Sequence, residues 1–286
     1  MATNWLKVSE PSPHVFHVEL SRAPVNAFSS EYWREYGKLF ETLAEAHASG
    51  TDIRAVVLSS AFPKIFTAGL DLTSAAGLGA ATSDTSQDSA RASLAMRKVI
   101  HEFQQAIGAP ERCPFPVIVA VHGPVIGLGV DLISACDIRY AASNASFSIK
   151  EVDIGLAPDI GTLAHLPKIT GNLSLVRELT YTGRSFSAAE AETLGLVSKV
   201  VEGGRDAVVA AALELGKVIA AKSPVAVAGA KHLITHARDH SVAENLAYTA
   251  AWNAAALMTM DISENMRAMG AKERPKFTAL GVPSKL

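Results

Sequence analysis

Asp131, Glu151 and Asp159 are the side chains best placed for chemistry in this sequence. They fall in residues 123–162, GPVIGLGVDLISACDIRYAASNASFSIKEVDIGLAPDIGT. Asp131 follows a glycine-rich turn at the start of an apolar helix, Glu151 sits just past a short strand, and Asp159 lies in a Pro-Asp turn before the next helix. Acids beside turns at element ends, in an apolar neighbourhood, are placed for proton transfer rather than solubility.

Two turns could serve such acids with backbone donors. One is Phe66-Thr67-Ala68-Gly69-Leu70-Asp71-Leu72, after a strand and its loop; the other is Gly127-Leu128-Gly129, which opens the helix carrying Asp131. Glycine lets a backbone approach a ligand closely, and free N–H groups at a helix start favour negative charge. One N–H from each turn, converging on one oxygen, would make an oxyanion hole. The Gly127 segment is not a dinucleotide fingerprint, because its sixth position is Leu132, and there is no Gly-Lys-Ser/Thr phosphate loop. Each feature also has a plain structural reading. Either turn can be only a turn, Asp159 can cap a helix beginning near Gly161, and Glu151 and Asp153 can be solvated charges beside Lys150. Asp137 and Arg139 read as a structural pair at a helix-to-strand turn.

The elements that must position these groups alternate strand and helix. Val15 to Leu20 alternates as a half-buried strand, with Phe16, Val18 and Leu20 on one side and His17 and Glu19 on the other. Ser29 and Ser30 can cap a helix on which Trp33, Tyr36, Phe40 and Leu43 recur. Residues 53–59 and 117–121 are β-branched strands, with a helix around residues 91–107 between them. This is an α/β layer pattern. Thr73 to Ala90, rich in small and hydroxyl residues, reads as a mobile surface loop. Beyond about residue 205 the pattern is helical, with Ser223-Pro224 as a helix start and Trp252, Leu257, Met260, Met266 and Met269 as apolar anchors. That tail either packs on another subunit or folds back on its own core.

Composition narrows the function classes. Apolar residues make up 49% of the 286 and charged residues 19%, as in globular enzymes. The 26 basic and 28 acidic residues give a net charge of -2, which points away from nucleic acid and anionic membrane as partners. Cys113 and Cys136 follow no metal spacing and read as reduced thiols, and none of the nine histidines belongs to a convincing ligand cluster. No secretory signal or membrane span is expected. Ser284-Lys285-Leu286 matches the tripeptide read by the peroxisomal import receptor, so the expected compartment is the peroxisomal matrix.

HGPVIGLGVDLISACDIRYAA, FTAGLDL and LTYTGRSFSAAEAETLGLVSKVV, in this order, resemble the crotonase (enoyl-CoA hydratase/isomerase) superfamily, and the likeness runs from VELSRAPVNAF to ENMRAMGAKERPKF. The resemblance implies a spiral of β-β-α turns over residues 1–205 and a helical oligomerisation region over 206–286, assembled as trimer or hexamer. It implies an acyl-CoA thioester substrate and no separate cofactor, CoA being part of the substrate. Carried over by residue, the oxyanion donors are the N–H groups of Leu70 and Leu128. Ala68, Gly69, Leu70, Asp71 and Leu72 would border the CoA, and Lys276 would reach its phosphates. The superfamily usually has glycine where this chain has Leu128, a strained choice if that position needs a positive φ. Hydratases have glutamate at the position of Asp131 and a small residue near Asp159. GVDL, KEVDIGL and APDIGT together are instead similar to the dienoyl-CoA isomerase branch, implying catalytic Asp131, Glu151 and Asp159. Shifting a 3,5-diene to a 2,4-diene needs a base near C2 and an acid near C6. The resemblance of Glu151 to the hydratase residue that handles the C2 proton implies Glu151 at C2 and Asp159 at the distal carbon, with the reverse assignment left open.

Overall fold

Uninterrupted apolar runs such as VVL and VIVAV suit strands covered on both faces, and the chain builds a parallel sheet around them. A computed structural model describes residues 3–73 and 88–281. The residues from 74 to 87, most of the expected surface loop, and the Ser284-Lys285-Leu286 tripeptide lie outside the described residues.

The first sheet runs in the order β1 (Leu6–Ser12), β2 (Val15–Leu20), β3 (Ala55–Ser60), β4 (Val117–Val121), β6 (Ile138–Ala142), β9 (Lys199–Val201). Only β1 and β2 are antiparallel to one another. A second sheet holds β5 (Pro124–Ile126), β7 (Ser146–Ser148) and β8 (Phe186–Ser187). The chain enters the first sheet at β4, passes to the second at β5 and then forms the helix α4 (Leu128–Ser134). It repeats the circuit with β6, β7 and a 3₁₀ turn (Glu151–Ile154). These are successive β-β-α turns of a spiral, and each ends at a turn that carries a site residue.

The remaining helices are α1 (Ser30–Ala48), α2 (Ser89–Ile107), α3 (Ala109–Arg112), α5 (Thr162–Ile169), α6 (Leu173–Thr182), α7 (Ala188–Leu194), α8 (Arg205–Ala220), α9 (Pro224–Asp239), α10 (Val242–Ala256) and α11 (Asp261–Ala271). Ser29 caps α1, accepting the Tyr32 N–H, and Ser223 caps α9, accepting that of Ala226. One core joins Val56, Leu58, Val117 and Val119 to α1, α2 and α4. On the other face Val57, Ile118 and Ala120 meet Val208, Val209 and Ala212 of α8.

That second layer corrects the reading of β2 as half-buried. α8 covers the face on which His17 lies, and His17 is buried with its Nε2 2.8 Å from the Ser59 hydroxyl. The Asp137–Arg139 pair is also corrected. Asp137 accepts from Lys231 Nζ at 2.8 Å and from the Val117 N–H at 2.7 Å, whereas Arg139 donates to the carbonyls of Leu196 and Cys136. The partner is remote in sequence because α9 lays Lys231 against the start of β4. No described helix is long and apolar enough to cross a membrane.

Candidate active site

The Thr67–Asp71 turn is held by bonds to residues 25–28. Phe28 N–H donates to the Gly69 carbonyl at 2.8 Å, Ala68 N–H to Val25 at 3.0 Å, and Asp71 N–H back to Phe28 at 3.0 Å. Thr67 donates its hydroxyl to the Asn26 carbonyl at 2.6 Å and accepts the Gly69 N–H at 3.0 Å. Asn26 is wholly buried at a φ of 51° and donates to the Ser60 hydroxyl and the Phe66 carbonyl. Asp71 is tied down by the Thr73 hydroxyl and by Arg22 at 2.9 Å, contacts that hold its carboxyl below the usual range. Leu72 is exposed.

Two glycines bring this turn to the start of α4. Gly69 has a φ of 82°, and a Cβ there would stand 2.5 Å from the Ile126 carbonyl oxygen and 3.5 Å from the Leu128 nitrogen. The two turns are therefore in contact. Among the described residues, no backbone or side-chain acceptor takes the Leu70 or Leu128 N–H. The positive φ on the other side, 50°, belongs to Gly127, while Leu128 is absent from the positive-φ residues. The strain considered for Leu128 does not arise: its side chain is buried in the core, and its N–H has no acceptor among the described residues. A Gly69→Ala variant is expected to lower kcat by about 100-fold, the order of one displaced oxyanion donor. Steady-state kinetics on variant protein of parental circular dichroism would check this; a parental kcat would contradict it.

Around these donors the structure gathers the three acids. Gly127 lies under Glu151, whose Oε1 would be 3.2 Å from a Cβ at that glycine. Glu151 Oε2 is buried with no hydrogen-bond partner among the described residues. Burial, then the charges of Asp131 and Asp159, push its carboxyl up to about 7. Glu151 is thus no solvated charge, whereas Asp153 is, pairing with Lys150 at 2.8 Å. Asp131, one turn along α4 from Leu128, is only 1% exposed. Burial and the neighbouring Asp159 charge push it up to about 6, against the Thr162 N–H that its Oδ1 accepts at 2.6 Å. Asp159 lies at the solvent side, and partial desolvation raises it too.

The Thr162 bond settles which acid caps the following helix. α5 starts at Thr162 with no side-chain cap of its own, and Asp131 accepts its first N–H from across the helix pair. Asp159 does not cap it. His165 completes the turn: its Nδ1 donates to the Gly161 carbonyl at 3.0 Å and its Nε2 faces Glu111 at 3.4 Å. Both ring nitrogens meet acceptors, and the Glu111 contact raises the imidazole. Asn26, Gln104 and His165 were not singled out by sequence. Asn26 alone has a signal there, since asparagine tolerates left-handed backbone at a turn. Lys276 is exposed, its amide donates to Glu264 at 2.7 Å, and no described contact joins it to the acids.

The raised Asp131 carboxyl has a consequence for stability. A carboxyl raised from 3.8 to about 6 on folding stabilises the fold below its unfolded value, and that contribution is lost as pH rises through 6. Asp131→Asn keeps an acceptor for Thr162 without the charge. Its unfolding free energy relative to the parent is expected to rise by ~2 kcal/mol between about pH 4.5 and about pH 8. Urea unfolding at the two pH values measures this, and a constant difference would contradict it.

An enoyl-CoA hydratase/isomerase family model matches residues 10–279. The human mitochondrial Delta(3,5)-Delta(2,4)-dienoyl-CoA isomerase is 46% identical over 92% of this chain and 78% of its own length. The peroxisomal enzyme of that name from Arabidopsis thaliana is 40% identical over 93% of each. Among solved structures, an enoyl-CoA hydratase from Bacillus anthracis superposes with a TM-score of 0.83 at 28% identity, covering 96% of this chain and all of its own. With its spiral of β-β-α turns, its paired turns and its matched length, the chain belongs to the enoyl-CoA hydratase/isomerase family.

Proposed function

We propose that this protein converts 3,5-dienoyl-CoA to 2,4-dienoyl-CoA. The observation that carries the reading is the placing of raised carboxyls around two free N–H groups, with Asp159 as a second proton holder beside Glu151. The isomerase relatives support the same reaction over three alternatives: hydration of a 2-enoyl-CoA, a Δ3-Δ2 double-bond shift that one carboxylate could perform, and acyl-CoA binding without catalysis.

The thioester oxygen sits between the Leu70 and Leu128 N–H groups. Glu151, as carboxylate, takes a proton from C2, and the C–H electron pair moves into a dienolate whose negative charge reaches that oxygen. Each donor there supplies roughly 3 to 4 kcal/mol. Protonated Asp159 gives its proton to C6, the electrons return from oxygen, and the double bonds come to rest at C2 and C4. Asp131 holds Thr162 through the first α5 N–H and, by like charge, raises the Glu151 carboxyl, which favours Glu151 keeping the proton once taken from C2. Ala68 to Leu72 border the CoA, and Lys276 takes a CoA phosphate.

This chemistry needs no metal and no dissociable cofactor. Purified protein in metal-free buffer is expected to generate conjugated 2,4-dienoyl absorbance from a 3,5-dienoyl-CoA. Consumption of a 2-enoyl-CoA, with no response to the 3,5-diene, would make it a hydratase.

Leu257, Met258, Met260, Met266 and Met269 leave an apolar face exposed on and between α10 and α11, 78% exposed at Met260. It supports a trimer or hexamer assembled through this region, which light scattering would test. Ser284-Lys285-Leu286 supports the peroxisome as compartment; relatives carry both peroxisomal and mitochondrial names. Imaging of a fusion with and without the tripeptide discriminates between them.

A further inference from the structure

The turn that carries Asp159 has little of its own to hold it. Residues 153–157 and Asp159 are exposed, and the bonds within the turn stop short of Asp159: Thr162 is held by Asp131, and Gly161 by His165. Among the described residues, one hydrogen bond from outside the turn reaches Asp159. The Gln104 amide on α2 donates from Nε2 to the Asp159 carbonyl oxygen at 2.6 Å, across 55 positions of sequence. A carbonyl only accepts, so the acceptor fixes which end of the amide faces it.

Gln104 is itself on a rigid support. Its neighbour Phe103 is buried and stacks on Trp33 of α1, with ring centroids 4.7 Å apart. Ala106 and Ile107, the next turn of α2, are in the core. The amide is therefore a short strut from packed core to an exposed turn. The amide contacts the backbone of Asp159, so it sets where the carboxyl stands without sharing its proton.

We infer that Gln104 is a positioning residue for proton delivery at the distal carbon, acting through Asp159 and not through Glu151. The inference rests on Asp159 being the distal acid. It predicts a division: loosening the strut slows return of the proton at C6 but not its removal at C2.

The test compares parent, Gln104→Ala, Asp159→Asn and the double variant, reading isomerisation kcat, KM and the exchange of C2 hydrogen with D2O. Gln104→Ala is expected to lower isomerisation about 10-fold, since a displaced catalytic group costs one to two orders of magnitude. C2 exchange and KM stay within about twofold, and in the Asp159→Asn background the Gln104 change is silent to about twofold. Gln104→Lys, which keeps a donor, recovers most of the rate. Parental isomerisation in Gln104→Ala would overturn the role. So would an equal loss in both Asp159 backgrounds, or C2 exchange falling in step with isomerisation. Parental isomerisation in Asp159→Asn alone would overturn the distal-acid assignment and this role together.

Discussion

Asp159→Asn is expected to lower isomerisation by about 10³-fold while C2 hydrogen continues to exchange with solvent. The amide occupies the same space but cannot deliver a proton to C6. The dienolate still forms, because Glu151 and the Leu70 and Leu128 N–H groups are untouched, and it is reprotonated at C2 instead. Deuterium would accumulate in the recovered 3,5-dienoyl-CoA, and mass spectrometry reads it directly. Loss of C2 exchange together with isomerisation would mean that Asp159 is needed before the dienolate exists.

Glu151→Gln is expected to abolish both processes, lowering each by about 10³-fold to 10⁴-fold, since no base then meets C2. Its setting explains why it serves: one carboxylate oxygen lies over Gly127, and the other is buried without a partner among the described residues. Burial, Asp131 and Asp159 raise its carboxyl to about 7, so both forms are populated near neutrality. Asp131 and Asp159 raise it by like charge, so the three acids titrate as a set and the limbs of the rate profile belong to the set. Removing Asp131 lowers the proton affinity of Glu151. The pH profile of kcat/KM in Asp131→Asn should therefore move to lower pH than in the parent. C2 exchange surviving in Glu151→Gln would contradict the assignment.

Sequence made the local devices legible where one residue type answers one physical need. Ser29 and Ser223 as caps, the β-branched runs of β3 and β4, and Gly69 at a turn are such cases. It was less informative where a residue's environment is supplied from far along the chain. His17 looked solvent-facing because α8, which buries it, begins at Arg205. Asp137 looked like a partner for Arg139 because Lys231 is 94 positions away. The acids were visible as candidates, but their division of labour was not. That Asp131 and not Asp159 accepts the first N–H of α5 depends on how two helices pack. At position 128, leucine is accommodated because the left-handed backbone is one residue earlier, at Gly127. Gln104 carries no signal in sequence: a glutamine on an amphipathic helix is ordinary until the fold sets the Asp159 carbonyl opposite it.

The most direct test of two acids acting at opposite ends of the diene is to run one turnover of a 3,5-dienoyl-CoA in D2O and locate the label. Asp159 is open to solvent and exchanges its proton before reaction, so the expected product is 2,4-dienoyl-CoA with one deuterium at C6. Product free of deuterium would show a single group carrying the same proton from C2 to C6 and would contradict it.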